Sequence, residues 1–433
     1  MKPFKFLAAT YKYRKWLSNG ITGLMLLLSG IIIFVYGTEI ESFRLIFALV
    51  FIVTGLILCF VCFRRIILAL LQLTKNGHMP LSTNMLDIGK NIVHRSELKN
   101  GPNIAVIGGG TGISTLLRGL KQFTSNLSAI ITVADDGGGS GMLRRNLGML
   151  PPGDIRNCIM ALADTEPQME KLLQYRFTDG DLKGQSFGNL FLAAMAGISE
   201  DFEAAVRNMS EVLAVTGTVL PVTSENVNLV AELEDGTVIK GESRIGEHHK
   251  FHPGRIKMIN LDKSNVKPLD SALAAIDNAQ VIVLGPGSLF TSIIPNLLVD
   301  HVVERIVKSN AVKIYVSNIM TQPGETEGLT VYDHIRAIYR HSKAEGFIDA
   351  CIVNTQKIPD EIYKRYQADG ATAVKTDSAK VKKLGVKVFE QELLQVKQGY
   401  VRHDPYKVAK AVLNVYQNLA KTSASERIFI HPD

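Results

Sequence analysis

Two stretches near the start of this chain carry no charged residue: ITGLMLLLSGIIIFVYG over residues 21–37 and LIFALVFIVTGLILCFVCF over residues 45–63. Crossing the hydrocarbon core of a bilayer takes about 20 apolar helical residues, and each run approaches that length. Only Thr38 to Arg44 lie between them, so the pair predicts a helical hairpin, with transmembrane helices at about 20–37 and 43–63 and a short outer turn carrying Glu39 and Glu41. Lys2, Lys5, Lys12, Arg14 and Lys15 precede the first span, and Arg64, Arg65 and Lys75 follow the second. The positive-inside rule then keeps both flanks in the cytoplasm. A cleaved signal peptide would show a small-residue site after the first run, whereas VYGTEIESF follows it and leads into a second span. The expectation is a multi-pass protein of the cell membrane whose globular part faces the cytoplasm. Residues 1–75 form the anchor, ending in a juxtamembrane apolar run from Ile66 to Leu71. Residues 76–101 form a polar linker with Gly77 and Pro80, and residues 102–433 the globular domain.

The net charge of +7 belongs to the anchor. Residues 1–99 hold 12 Lys/Arg against 4 Asp/Glu, which leaves 36 against 37 in the rest, so the globular part has no electrostatic case for nucleic acid. Cys59 and Cys62 lie three apart inside the second apolar run, where small apolar packers are expected rather than a reactive redox pair. With only Cys158 and Cys351 besides, there is no disulfide framework, in keeping with a reducing compartment.

The globular part opens on a β-branched run, Asn103-Ile-Ala-Val-Ile107, consistent with a buried parallel strand. It passes directly into Gly108-Gly-Gly-Thr-Gly112 and then a helix-spaced segment, Ile113 to Leu120. Strand, glycine turn and helix start together hold a phosphate: glycines admit the anion close to the backbone, and free N–H groups at the helix N-terminus face it. Gly109, Gly110, Thr111 and Gly112 are the first candidate ligand residues. A second strand, Ala129 to Ala134, ends in Asp135-Asp136, about where a dinucleotide-binding fold places its ribose acid, and runs on into Gly137-Gly138-Gly139-Ser140-Gly141. The third glycine of the dinucleotide fingerprint falls on Ile113. The segment therefore fits a dinucleotide enzyme, another kind of phosphate site, or a tight turn without a ligand.

More polar loops follow. Pro151-Pro-Gly-Asp-Ile-Arg-Asn157 delivers Asp154, Arg156 and Asn157 ahead of an apolar helix, and Gly184 to Leu190 puts Ser186 and Asn189 at another helix start. The strand Val281 to Leu284 ends in Gly285-Pro-Gly-Ser-Leu-Phe-Thr291, with Gly285, Gly287, Ser288 and Thr291 as a second anion cradle. Val312 to Val316 leads to Asn318 and Gln322. One such loop would pass as a turn. Several of them after β-like runs predict an open α/β sheet whose ligand crevice lies at the carboxyl ends of its strands. Residues 217–262 read differently: Val219–Thr223, Val227–Leu233, an Asp235-Gly236 turn and Val238–Lys240 form β-hairpin material, expected as a small insertion beside the main sheet. His248, His249 and His252 within it lack a helical register or nearby cysteine and read as a solvated loop rather than a metal site.

Taken in order, these motifs resemble the gluconeogenesis-factor (YvcK-type) family, related to the 2-phospho-L-lactate transferases (CofD-like). GGGTG at 108–112, ADDGG at 134–138, PPGDIRN at 151–157, SFGNL at 186–190, GPGSLFTSIIPNLL at 285–298, TQPGET at 321–326 and RHDP at 402–405 carry the likeness, with the two apolar spans outside the shared region. The family loop runs DDGGSSG where this chain has DDGGGSG, so Gly139 replaces a hydroxyl and a backbone amide must substitute. The resemblance implies a Rossmann-like three-layer α/β domain with a mostly parallel sheet, a tendency to dimerise, and binding of a UDP-sugar such as UDP-N-acetylglucosamine. It also implies a role in carbon metabolism, cell shape and wall synthesis, with cell-wall proteins as partners, and no established reaction. Gly137, Gly138 and Ser140 join the candidate ligand residues on this ground, as does Arg402. Asp404-Pro405 beside it reads as the cap and first turn of the last helix. Neutral amides alone do not match a diphosphate, and apart from Arg402 the candidate cations are Arg144, Arg145 and Arg156.

Two functional readings come from different classes. One is a nucleotide-sugar-binding regulator, favoured by the membrane hairpin. The other is a transferase moving a phosphate-linked group from a nucleotide, with Asp135 or Asp136 holding Mg²⁺ or orienting an acceptor hydroxyl.

Overall fold

The structure, a computed structural model, describes residues 11–36, 42–75, 97–164, 167–252 and 254–428. It divides into two compact units, Met1–Glu97 and Leu98–Asp433.

In the first unit, α1 (Tyr11–Tyr36) and α2 (Ser42–Lys75) pack against each other through small residues. A Cβ added at Gly30 would lie 2.9 Å from the Ala48 carbonyl oxygen, and one at Gly55 only 2.7 Å from that of Gly23. Close backbone approach through small residues is a packing that membrane helices commonly use. Cys62 and Cys59 line the same seam against Gly20 and Gly23, as packers. Leu28, Phe34, Leu49 and Phe60 point outward, each more than half exposed. Ser18–Val35 and Leu45–Arg65 are long and apolar enough to cross a bilayer. Both helices outrun the expected spans, and the run Ile66 to Leu71 continues α2 without a break. The expected outer turn with Glu39 and Glu41 and most of the linker lie outside the described residues.

The second unit begins at Leu98, slightly ahead of the expected 102. Its strands are β1 (Ile104–Gly108), β2 (Leu127–Ile131), β3 (Thr218–Pro221), β4 (Leu229–Leu233), β5 (Val238–Lys240), β6 (Ile256–Leu261), β7 (Val281–Leu284), β8 (Val312–Val316), β9 (Ala350–Asn354), β10 (Lys387–Gln391), β11 (Leu394–Lys397) and β12 (Tyr400–His403). Seven of them form one parallel sheet in the order β10-β9-β8-β7-β1-β2-β3. Every residue of β1 and β7 is buried, as expected of central strands covered on both faces.

The chain steps outward from β1 to β3, returns to the centre at β7 and steps the other way to β10. Right-handed crossovers then require helices on opposite faces for the two halves. On one face α3 (Gly110–Leu120) packs between α5 (Gly153–Leu162) and α12 (Pro405–Ile428). On the other, α9 (Asp270–Asp277) meets α10 (Val302–Lys308), and α11 (Val331–Ser342) covers the segment Ile294–Leu297. The result is the Rossmann-like three-layer α/β fold, reversing direction between β1 and β7.

The β insertion is narrower than expected. Its three-stranded antiparallel sheet, β5-β4-β6, spans 229–261, whereas Thr218–Pro221, expected inside it, is the parallel edge strand of the main sheet, with Thr218 opposite Ser128. Sequence alternation does not separate a parallel edge strand from a hairpin arm, and an edge position also tolerates Pro221. The globular unit also holds α4 (Gly138–Leu147), α6 (Phe187–Ile198), α7 (Phe202–Val212) and α8 (Glu242–Glu247).

Candidate functional site

The direction reversal puts the loops that leave β1 and β7 side by side at the carboxyl edge of the sheet. Contact between them is tight enough that a Cβ on Gly112 would collide with the Pro286 carbonyl oxygen, and one on Gly287 would lie 3.3 Å from that of Gly109. Gly109 is the extended N-cap of α3. Gly110 follows at φ +67°, in the left-handed region that side chains with a Cβ populate reluctantly. Thr111 is exposed on the first turn, its carbonyl accepting the Ser114 and Thr115 hydroxyls at 2.9 Å. Asn296, fully buried, donates to the Gly108 carbonyl at 3.1 Å and fixes the end of β1 from the other face.

The second cradle is held from β8. Asn318 and Gly287 exchange two hydrogen bonds, the side-chain amide donating at 2.8 Å and the Gly287 N–H returning one at 3.2 Å. The Ser288 hydroxyl lies 2.7 Å from Gln322 Oε1 and 2.9 Å from Glu325 Oε1, and Thr291 Oγ1 lies 3.4 Å from the same Glu325 oxygen.

Carboxyl groups gather where the loops converge. Asp135 accepts the Gly137 N–H at 2.9 Å, while its other oxygen approaches Gly153, as does the Ser140 hydroxyl. Asp154, on the first turn of α5, accepts the Gly110 N–H and lies against Gly109. The amide expected to meet a ligand phosphate thus already meets an anionic group of the protein. Burial, then the charge of Asp135, pushes the Asp154 carboxyl up to about 6. Glu242, at the start of α8 in the insertion, is pushed up to about 8 by burial and then by Asp135, Glu325, Asp154 and Asp136. Burial also raises Glu325, against the hydrogen bonds from Ser288 and Thr291. Asp136 accepts the Ser243 N–H at 2.9 Å and its hydroxyl at 2.7 Å, pinning α8 to the 135–141 loop. Gly138, at φ +48°, has nothing near its Cβ position.

The cations expected to balance a phosphate are mostly engaged elsewhere. Buried Arg144 donates to the Val227 carbonyl at 2.6 Å and to Asn226, tying α4 to the segment that leads into β4. Arg156 turns to Ser186 Oγ and Asn157 Oδ1, both at 2.8 Å, and Ser186 caps α6 by accepting the Asn189 N–H at 3.3 Å. Arg156, Asn157, Ser186 and Asn189 thus form a cluster of their own. Within it Arg156 Nε and Asn189 Oδ1, with Gln185 Oε1 beside them, are buried without a partner among the described residues. Arg402, on β12, is exposed over the Tyr400 ring at 5.5 Å, with no carboxylate partner among the described residues. Its neighbour Asp404 caps α12, accepting the Lys407 N–H at 2.9 Å. The histidines of the insertion differ from the expected solvated loop. His248 is buried, its ring nitrogens 2.7 Å and 2.9 Å from the Ile245 and Gly254 carbonyl oxygens, and only His249 and His252 are exposed. Among the described residues no His, Cys, Asp or Glu trio is placed to hold a metal by itself.

Sequence reasoning missed Glu242, Glu325, Asn296 and Ser243. Glu325 stands inside the quoted TQPGET motif and could have been chosen with Gln322. Glu242 had no signal, because a glutamate after a hairpin glycine reads as solvated.

A doubly wound parallel sheet with two glycine loops meeting at its reversal point and carboxyls gathered round them defines a Rossmann-like α/β protein. The family profile of the 2-phospho-L-lactate transferase CofD matches residues 104–394. A gluconeogenesis factor homologue of Clostridium acetobutylicum is 45% identical over 95% of this chain and 92% of its own length. The gluconeogenesis factor of Bacillus subtilis is 48% identical, with 72% of this chain covering 98% of it. The chain belongs to the gluconeogenesis factor family. A crystal structure of a UPF0052 family member from Bacillus halodurans has a TM-score of 0.69 at 45% identity, covering 72% of this chain and 99% of that one. The family profile leaves the apolar pair outside its match, as expected, whereas the Clostridium match, over 95% of this chain, extends into that segment.

Proposed function

We propose that this protein is a membrane-anchored regulator that binds a UDP-sugar, with UDP-N-acetylglucosamine the expected ligand, and serves carbon metabolism, cell shape and wall synthesis. The observation that carries the reading is the pair of glycine loops in contact at the reversal between β1 and β7, where an open α/β sheet binds its ligand. The carboxyls around them make a bare diphosphate unfavourable. A Mg²⁺ ion suits the donor set, since it typically binds through one or two carboxylates plus ligand phosphates rather than a full protein cage. Asp135 and Asp154 would supply those carboxylates, and exposed Arg402 a guanidinium for the remaining charge. Calorimetric titration of UDP-N-acetylglucosamine into residues 98–433, with and without Mg²⁺, tests the reading. Stoichiometric binding strengthened by Mg²⁺ is expected, and no heat together with no thermal shift would refute it.

One observation favours the transferase reading. Asp154, raised to about 6, approaches the value at which a carboxylate serves as general base near neutral pH. Release of a nucleotide from a nucleotide-linked donor, lost in Asp154→Asn while ligand affinity persists, would establish it.

The anchor is the apolar hairpin, and the whole chain should fractionate with membranes. A homodimer is supported by α6, which carries no charge and ends on Ile198, 81% exposed. An uncharged apolar patch is self-complementary across a two-fold axis. Ile198→Asp should give monomers in sedimentation, and an unchanged mass would place any dimer contact elsewhere.

A further inference from the structure

Of two cavities in the globular unit, one lies away from the glycine loops and the other borders the second of them. The larger, about 550 Å³ between α9 and α10, has its charges already matched, Arg305 donating to Asp277 at 2.7 Å and Lys308 to Glu304 at 2.6 Å. The smaller, about 330 Å³, is walled by Arg255 at the start of β6, by the 324–329 loop and by Tyr332 and Arg340 of α11. Its apolar lining includes Phe290 and Ala337. Here the charges are not matched: Arg255 and Arg340 form no ion pair or side-chain hydrogen bond among the described residues, and neither do the carboxyls of Glu234 and Glu327. Glu325 also lines the cavity. It is 8% exposed, and its Oε2 is buried without a hydrogen-bond partner among the described residues.

We propose that this cavity is a second ligand site, built for a small phosphorylated polyol. Its size stands at the lower end of small-molecule sites, about 300–1,000 Å³, which suits a sugar phosphate rather than a nucleotide sugar. Two unpaired guanidiniums offer the fork that matches phosphate oxygens. The carboxyls of Glu234 and Glu327 on the same rim would repel a bare phosphate dianion but accept hydrogen bonds from hydroxyls. A ligand carrying both groups satisfies both sets, and one carrying either alone leaves the other unmet. The cavity shares Glu325 with the glycine-loop crevice, because Glu325 Oε1 meets Ser288 and Thr291 while Oε2 is unmet. An occupant that draws on Glu325 changes the hold on the second glycine loop, and such coupling acts equally in both directions. The site itself stands whatever ligand the crevice takes.

The test titrates the full chain in detergent micelles with glucose 6-phosphate, glucose and inorganic phosphate, in the absence of any nucleotide. Glucose 6-phosphate should bind at least tenfold more tightly than phosphate, and glucose should give no signal. The double variant Arg255→Ala/Arg340→Ala should lose at least tenfold in affinity with an unchanged melting midpoint, since both side chains are exposed. Glu325→Gln should weaken glucose 6-phosphate binding too and change the affinity for UDP-N-acetylglucosamine; should it fail to fold, the arginine pair carries the test alone. No binding by the natural chain, equal affinity for phosphate and glucose 6-phosphate, or undiminished binding by the arginine variant would each overturn the proposal. Failure of UDP-N-acetylglucosamine to bind would leave these titrations untouched and bear on the crevice alone.

Discussion

Glu242→Gln removes one carboxyl from a group of five without changing its shape. Glu242 rises from an ordinary value of 4.5 to about 8 in the folded chain, through burial first and then the neighbouring Asp135, Glu325, Asp154 and Asp136. Above pH 4.5 the unfolded chain gives up this proton while the folded chain keeps it until about pH 8. Rising pH therefore favours unfolding across that window, by about 1.4 kcal/mol per pH unit while the folded chain holds one proton more. Carried to pH 7, the loss approaches about 3 kcal/mol. Gln cannot ionise, so the variant should be the more stable protein at pH 7 by up to about that amount, while near pH 4.5 the two should coincide. Urea unfolding of residues 98–433, followed by far-ultraviolet circular dichroism at pH 5, 6, 7 and 8, measures the difference. The fragment is one of the two compact units, and the Bacillus halodurans chain that crystallises covers 72% of this chain with 99% of its own length. Parallel pH profiles for the two proteins, or a variant less stable at pH 7, would show that Glu242 is ionised and solvated and that no carboxyl cluster exists.

Gly110→Val should cost about 1–2 kcal/mol of stability and abolish nucleotide-sugar binding, because Gly110 sits at φ +67° where a Cβ has room but the backbone resists; calorimetry and a melt check both. Gly139→Ser should stabilise the fold by about 1 kcal/mol, since a hydroxyl there can donate to Gln185 Oε1, which is buried without a partner among the described residues; a lower midpoint would mean that the 2.9 Å Cβ contact with that oxygen wins. Arg402→Ala should weaken UDP-N-acetylglucosamine binding at least tenfold, about 1.4 kcal/mol, with stability unchanged. Asp404→Ala should do the reverse, losing about 1 kcal/mol of stability through the α12 cap; normal binding by Arg402→Ala would reduce the motif to a helix start.

Local physics was legible along the chain. The charge-free runs could only be long apolar helices, and the passage from Ile104 to Leu120 could only be a strand, a glycine turn and a helix, since period, glycine and cap are properties of neighbouring residues. The Asp404 cap and the buried central strands follow from the same rules. What lay beyond local physics is the reversal between β1 and β7. That reversal brings Gly112 against Pro286 across more than 170 residues of sequence and sends the helices to opposite faces. It also decides charge: Glu242 from the insertion and Glu325 from a loop after β8 join Asp135 and Asp154, while Arg144 and Arg156, equally eligible in the sequence, turn to Val227 and Ser186. Thr218–Pro221 shows the limit in small, because four residues of alternating pattern fit a hairpin arm and a parallel edge strand alike, and only the neighbouring Ser128 chooses. The sequence by itself determined which segments become helices, strands and glycine turns, because those preferences act over a few residues. Which carboxyls share one crevice, and therefore which of them hold a proton, was decided only by the tertiary structure, because burial and charge act through space.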